Sequence, residues 1–259
     1  MRALAWFWIL VLLLLGGVGA TLAWLGPPPP PAARAAAVGA ANPSAAVAGT
    51  HGPKVAILIA GIGMIATDSQ AAIATLPPAV SLAVSPYAPD PAAAARTARQ
   101  AGHEVVLSLP MQPAGGASAD AGDEALTTGQ PPGVTAARLA WALGRVPGPA
   151  GATSLLAPGL DGAAFTASPA LVAVIDTLAA HHLWFLDGRR ITMLDAAGIT
   201  PARALDGVIA AARRNGSAIG AAGAPSPDLV AALAKLLPGL AASGVRLVPV
   251  GDMMSTSQR

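Results

Sequence analysis

From residue 53 onward the chain alternates short apolar runs with stretches of helical periodicity, and this rhythm constrains the fold more than any other feature. Residues 55–59, 80–84, 105–109 and 183–186 are runs of four or five mostly apolar residues. Each is too short for a buried helix and reads as a buried strand. Residues 90–101 carry a helical pattern. A helix opening at Ser168 and Pro169 would place Leu171, Val174, Ile175 and Leu178 on one face. Ser226 and Pro227 repeat the start signal, with Leu229, Leu233 and Leu236 on one stripe and Pro238 as a stop. Residues 245–250 predict a last strand, and Pro249 within it predicts an edge position or an early end. Parallel strands covered by helices are the expected result, an α/β fold.

The 259 residues suffice for one sizeable domain with appendages, and the segments before residue 53 read as appendages. Residues 4–25 form 22 positions without a charge, long enough as a helix to cross a hydrocarbon core of about 30 Å. Trp6, Trp8 and Trp24 near its ends and Arg2 on its short side predict a single-pass anchor with the remainder exported. A cleavable signal peptide is the competing reading, although its apolar region is normally shorter. Residues 26–52, rich in proline, alanine and glycine, read as a spacer between the anchor over residues 1–25 and a domain over residues 53–259. A net charge of only +2 with no Lys/Arg cluster argues against a nucleic-acid partner. With no cysteine in the chain, disulfides, thiolate zinc sites and cysteine nucleophiles are excluded.

Individual motifs are weak on their own chemistry. Gly61-Ile62-Gly63-Met64-Ile65-Ala66 follows the first strand and fits a dinucleotide fingerprint, but the second strand ends in Ser85-Pro86-Tyr87 where that fold needs a carboxylate. A tight turn is the simpler reading. The adjacent His181 and His182 would point about 100° apart on a helix and so do not form a metal-ligand pair. Asn215-Gly216-Ser217 spells a glycosylation sequon, but Asn-Gly after a basic helix end is a normal helix-stop signal, and that is the reading taken. Asp187, at the end of the fourth strand, is the best-placed carboxylate, because ligands of α/β folds bind at the carboxyl ends of strands. Accepting hydrogen bonds from the following turn is an equally good explanation of it. His103 and Glu104 are further candidate ligand contacts, and Trp141, Trp184 and Tyr87 are the aromatic residues available to a sugar.

Taken in order, several blocks resemble the divergent polysaccharide deacetylase family of bacterial envelope proteins. They are Lys54-Val55-Ala56-Ile57-Leu58-Ile59, Leu76-Pro77, Gly102-His103-Glu104-Val105 with Leu109-Pro110-Met111 and Pro113, Phe185-Leu186-Asp187, and Ala212 to Ser217. The resemblance spans Lys54 to the last strand and implies a (β/α) barrel-like deacetylase fold, here preceded by one transmembrane helix. It also implies a divalent metal such as zinc and hydrolysis of an acetamido group on a carbohydrate.

The residues that carry this chemistry in the family are replaced here. Ala60 and Gly61 stand where the family has paired aspartates, Ser108 where it has a histidine, and Gln112 where it has an acid. Thr153 to Pro158 align with an Asn-Asn-His-Met-Gly-Ser motif, which puts Leu155 at its histidine, and Gly223-Ala224-Pro225 align with Gly-His-Pro. Only Asp187 carries over among the central carboxylates. One aspartate cannot supply the ligands a metal needs to polarise a carbonyl and activate water, so no cofactor is expected. The resulting expectation is a catalytically impaired domain in the bacterial inner membrane, facing the periplasm, that binds an envelope polysaccharide or a protein partner. The alternative is an active de-N-acetylase or related hydrolase with a relocated site built from Asp187, His103 and Glu104.

Overall fold

The computed structural model describes residues 52–115 and 119–254. Within them the strands are β1 (Lys54–Ile62), β2 (Ser81–Val84), β3 (Val105–Ser108), β4 (Gly151–Thr153), β5 (Trp184–Leu186), β6 (Thr192–Met193), β7 (Ser217–Ala222) and β8 (Arg246–Leu247). The helices are α1 (Ala66–Thr75), α2 (Pro91–Gln100), α3 (Pro132–Arg145), α4 (Ala163–Thr166), α5 (Leu171–Ala180), α6 (Pro201–Asn215), α7 (Pro227–Leu236) and α8 (Val250–Met254). The strand order is β5-β4-β3-β2-β1-β7-β6, with β8 beside the start of β1, and every pairing is parallel. This is the expected α/β class. No helix among the described residues is long and apolar enough to cross a membrane, and the span expected over residues 4–25 lies outside them.

Strand β1 is the axis of the core, and its period of two divides the interior into two layers. Val55, Ile57 and Ile59 enter the large layer under the helices, with Leu82, Leu107, Leu178 and Leu233. Complete burial of one such side chain contributes about 1.5–3 kcal/mol. Ala56, Leu58 and Ala60 face the other way, into a smaller layer with Ala83, Val106, Leu155, Ala221, Val250 and Met253. Alanine on that concave face lets the sheet bend.

The bend can be gauged from its ends. Four strand intervals separate β4 from β7, so a flat sheet would hold them about 19 Å apart at the usual spacing of about 4.8 Å. Instead, a Cβ placed on Gly223, just after β7, would stand 2.7 Å from the carbonyl carbon of Ala157, just after β4. The sheet is curled into an open barrel whose far sides meet at the carboxyl ends of the strands. Its two end strands, β5 and β6, do not pair with each other.

Helix boundaries at Asp90, Ser226 and Gly216 follow their local signals, and Ser168 does not. Asp90 caps α2 by accepting from Ala93 N–H at 2.8 Å, Ser226 caps α7, and Gly216 ends α6 at φ 80°. Asn215-Gly216 is thus the helix stop that its sequence suggests. Ser168 does not cap α5, because its hydroxyl donates to Phe165 O at 2.7 Å and the helix starts at Leu171. The last strand is also shorter than residues 245–250. It ends at Leu247, and Val250 starts α8, since Pro249 cannot donate to a ladder.

Helix α8 closes the amino-terminal end of the barrel. Ser81 Oγ donates to Glu104 Oε2 at 2.6 Å and accepts from Val250 N–H at 2.9 Å, while Gly251 N–H donates to the Glu104 carboxylate at 3.1 and 3.2 Å. Glu104→Ala removes the carboxylate that accepts from Ser81 Oγ and Gly251 N–H and is expected to cost about 1–3 kcal/mol of stability. The shift in the urea unfolding midpoint measures that cost.

Candidate functional site

At the opposite end, the loops that follow β1, β2, β3, β4 and β7 surround a cleft of about 880 Å³. Gly61 and Ser85 form part of its floor, Ala157 and Pro158 enter from the β4 side, and Gly223 to Ser226 from the β7 side. Tyr87 and Trp141 form an aromatic wall with ring centroids 5.4 Å apart and planes tilted by 46°. Tyr87 Oη accepts from Glu124 N–H at 3.1 Å, which ties the wall to the acidic segment Asp120 to Glu124. Burial raises the Tyr87 phenol above its ordinary pKa; the Glu124 backbone bond pulls against that, and the charges of Glu124 and Asp123 push further upward.

The sequence-derived positions fall into three groups in space. Gly61 and Ala224 line the cleft, with Ala60 and Leu155 packed beneath it in the concave core layer. Gly61 sits at φ 71° where the β1–β2 register shifts, and a Cβ there would stand 3.0 Å from Gly223 O. The Ala60-Gly61 pair is therefore a glycine bulge pressed against the β7 loop. Ser108 is fully buried, and its Oγ has no hydrogen-bond partner among the described residues. Gln112 lies outside the cleft lining, and its Oε1 accepts from Thr128 N–H and Oγ1, both at 2.8 Å.

Asp187 sits at the carboxyl end of β5, as its sequence position predicts, but its carboxylate is already engaged. It accepts from Arg189 N–H at 3.0 Å and from the Arg189 guanidinium at 2.7 and 3.1 Å. Burial alone would raise its pKa, and the Arg189 hydrogen bonds with the charges of Arg189 and Arg190 overcome this and hold it below the usual carboxylate value.

His103 and Glu104 require a correction. They precede β3 and therefore occupy the amino-terminal end of the barrel, away from Asp187 and the cleft. The ring nitrogens of buried His103 lie 2.9 Å from Val80 O and 3.1 Å from Ile73 O, and Glu104 holds α8. Their bonds are those of packing, so the relocated site with Asp187 is not assembled. Trp184 likewise belongs to the concave core layer, whereas Tyr87 and Trp141 reach the cleft.

Two features escape sequence reasoning. Asp195 Oδ2 accepts from Gly223 N–H at 2.8 Å and fixes the β7 loop, a role that depends on where β6 ends. The carboxylates Asp68, Asp120, Asp123 and Glu124 share the cleft. The dense Asp120-Ala121-Gly122-Asp123-Glu124 segment is the signal that could have drawn attention to it.

A divalent metal at the positions implied by the resemblance does not fit the side chains present. Ala60, Gly61, Leu155 and Ala224 offer no donor, and Ser108 offers one neutral, buried oxygen. No three His, Asp or Glu side chains among the described residues are grouped so that they could hold an ion.

The family model for divergent polysaccharide deacetylases matches residues 57–198, more than half of the chain. The chain belongs to that family. A crystal structure of an uncharacterized protein from Agrobacterium tumefaciens C58 is similar, with a TM-score of 0.63 and 27% sequence identity. The similarity covers 79% of this chain and 90% of that one. No curated protein matches.

Two substitutions probe the geometry. Because the folded-state pKa of Asp187 is depressed, its contribution is present above the unfolded value and is lost as pH falls through the folded one. Asp187→Asn is therefore expected to reduce stability at neutral pH and to flatten the loss of stability below about pH 4, as read by thermal unfolding across pH. Ser108→Ala removes an unmatched buried hydroxyl and is expected to be neutral or to stabilise by about 1 kcal/mol, measured by urea unfolding.

Proposed function

We propose that this divergent polysaccharide deacetylase family member binds an envelope polysaccharide in the cleft at the carboxyl ends of its strands and does not deacetylate it through a metal. The observation that carries this reading is a juxtaposition. Positions at which the family would place its ligands lie in and under the cleft as Ala60, Gly61, Leu155 and Ala224, while Tyr87 and Trp141 form a wall of the same cleft. Aromatic faces supply a large apolar contact area with a polar tip, which suits the C–H faces and hydroxyl edges of sugars. The volume falls within the range of about 300–1,000 Å³ common to small-ligand sites.

The N-terminal segment would hold this domain to the bacterial inner membrane with the cleft on the periplasmic side. No cofactor is needed for such a role. A protein partner is the competing occupant, and it would draw on Met64 and Ile65, which stand 51% and 58% exposed at the cleft.

Full-length protein is expected to co-sediment with purified peptidoglycan sacculi, to lose roughly tenfold or more in affinity with Trp141→Leu, and to release no acetate from N-acetylated oligosaccharides. Acetate release abolished by a chelator would instead establish the active hydrolase. Absence of co-sedimentation would remove peptidoglycan as the ligand.

A further inference from the structure

The cleft that the glycan-binding reading relies on has a charge that narrows its ligand. Its apolar floor and aromatic wall are joined by carboxylates from two separate elements, Asp68 on α1 and Asp120, Asp123 and Glu124 on the segment after β3. No Lys, Arg or His belongs to the described lining. Among the described residues Arg138 is 3.9 Å from Glu124 and also donates to Ala125 O. Asp120 Oδ1 accepts from Gly122 N–H at 2.8 Å, and Asp68 Oδ1 accepts from the Thr67 hydroxyl at 3.2 Å, neither bond bringing a positive charge.

We infer that the cleft selects glycans carrying free, protonated amino groups over fully acetylated or acidic ones. Three physical effects act in the same direction. A cleft lined by one sign of charge between low-dielectric walls concentrates ions of the opposite sign. An ammonium group also gains from the faces of Tyr87 and Trp141 by cation–π attraction. A uronic or phosphorylated glycan would meet the carboxylates of Asp68, Asp120 and Asp123, which selects against it. Sugar rings bearing amines match both parts of the site, since ring faces stack on the aromatics while ammonium groups reach the carboxylates. This inference rests on the glycan-binding reading, and a cationic peptide is a distinct outcome of the test.

The test is calorimetric titration of the full-length protein at pH 5.5 and low salt with three probes: a glucosamine tetramer, the fully N-acetylated tetramer, and tetralysine. The free-amine tetramer is expected to bind roughly tenfold more tightly than the acetylated one, with an affinity that falls as salt is added. The double variant Asp120→Asn/Asp123→Asn alters two exposed residues and is expected to lose most of that preference while its thermal unfolding is unchanged. Equal binding of both sugars, or a preference for the acetylated one, overturns the charge inference and leaves glycan binding standing. Binding of tetralysine alone overturns both and identifies a cationic peptide as the ligand class. No binding of any probe also overturns both.

Discussion

The small side chains on the concave face of the sheet are the constraint on which the rest of the domain depends. Ala56, Ala60, Ala83 and Ala221 let opposite strands curl toward one another, and Leu155, Val250 and Met253 fill the remaining space. Larger residues there would hold the sides apart, because packed interiors absorb extra volume only by moving backbone. The curl brings the β4 and β7 loops together at one end, where Gly223 has no room for a Cβ against Ala157 and Pro158. At the other end it leaves an opening that α8 plugs, held by Ser81 and Glu104.

This geometry gives the two ends of the barrel different work. Polar groups at the amino ends of the strands are used in holding the fold, with His103 between two backbone carbonyls and Glu104 on α8. The carboxyl ends carry the irregular features, namely the Gly61 bulge, the Gly223 contact and the cleft between them. Parallel sheets concentrate ligand sites at that end because every crossover loop there leaves a strand in the same direction. Family membership accounts for the scaffold, while the site has to be argued from the side chains present.

At the positions that the resemblance aligns with the family's ligands, backbone and packing matter as well as side-chain identity. Gly61 has a left-handed backbone against the Gly223 carbonyl, so an aspartate placed there would meet both backbone strain and a close neighbour. Leu155 belongs to the packed layer beneath the cleft. The apolar floor and the Tyr87–Trp141 wall thus line one cleft above that layer.

Much of the fold was legible in the chain because it is written in local physics. Val55, Ile57 and Ile59 announce a buried strand by composition, Ser226-Pro227 announces a helix by capping chemistry, and Asn215-Gly216 announces its end. The Gly-His-Glu-Val and Leu-Pro-Met blocks carried the family, and Asp187 was correctly placed at a strand end. Strands β4 and β7, written as Gly-Ala-Thr and Ser-Ala-Ile-Gly-Ala-Ala, carry almost no strand propensity and exist because neighbouring strands offer them a slot. The direction of Asp187 toward Arg189, the separation of His103 and Glu104 from it, and the meeting of Asp68 with Asp120 to Glu124 in one cleft are also tertiary facts. The sequence by itself determined strands such as β1, helix caps such as Ser226, and the residue types at the positions aligned with the family's ligands, since these depend on residues and their near neighbours. Which polar groups hold the fold and which line the cleft was decided only by the curl of the sheet, which sorts residues by the end of the barrel they occupy.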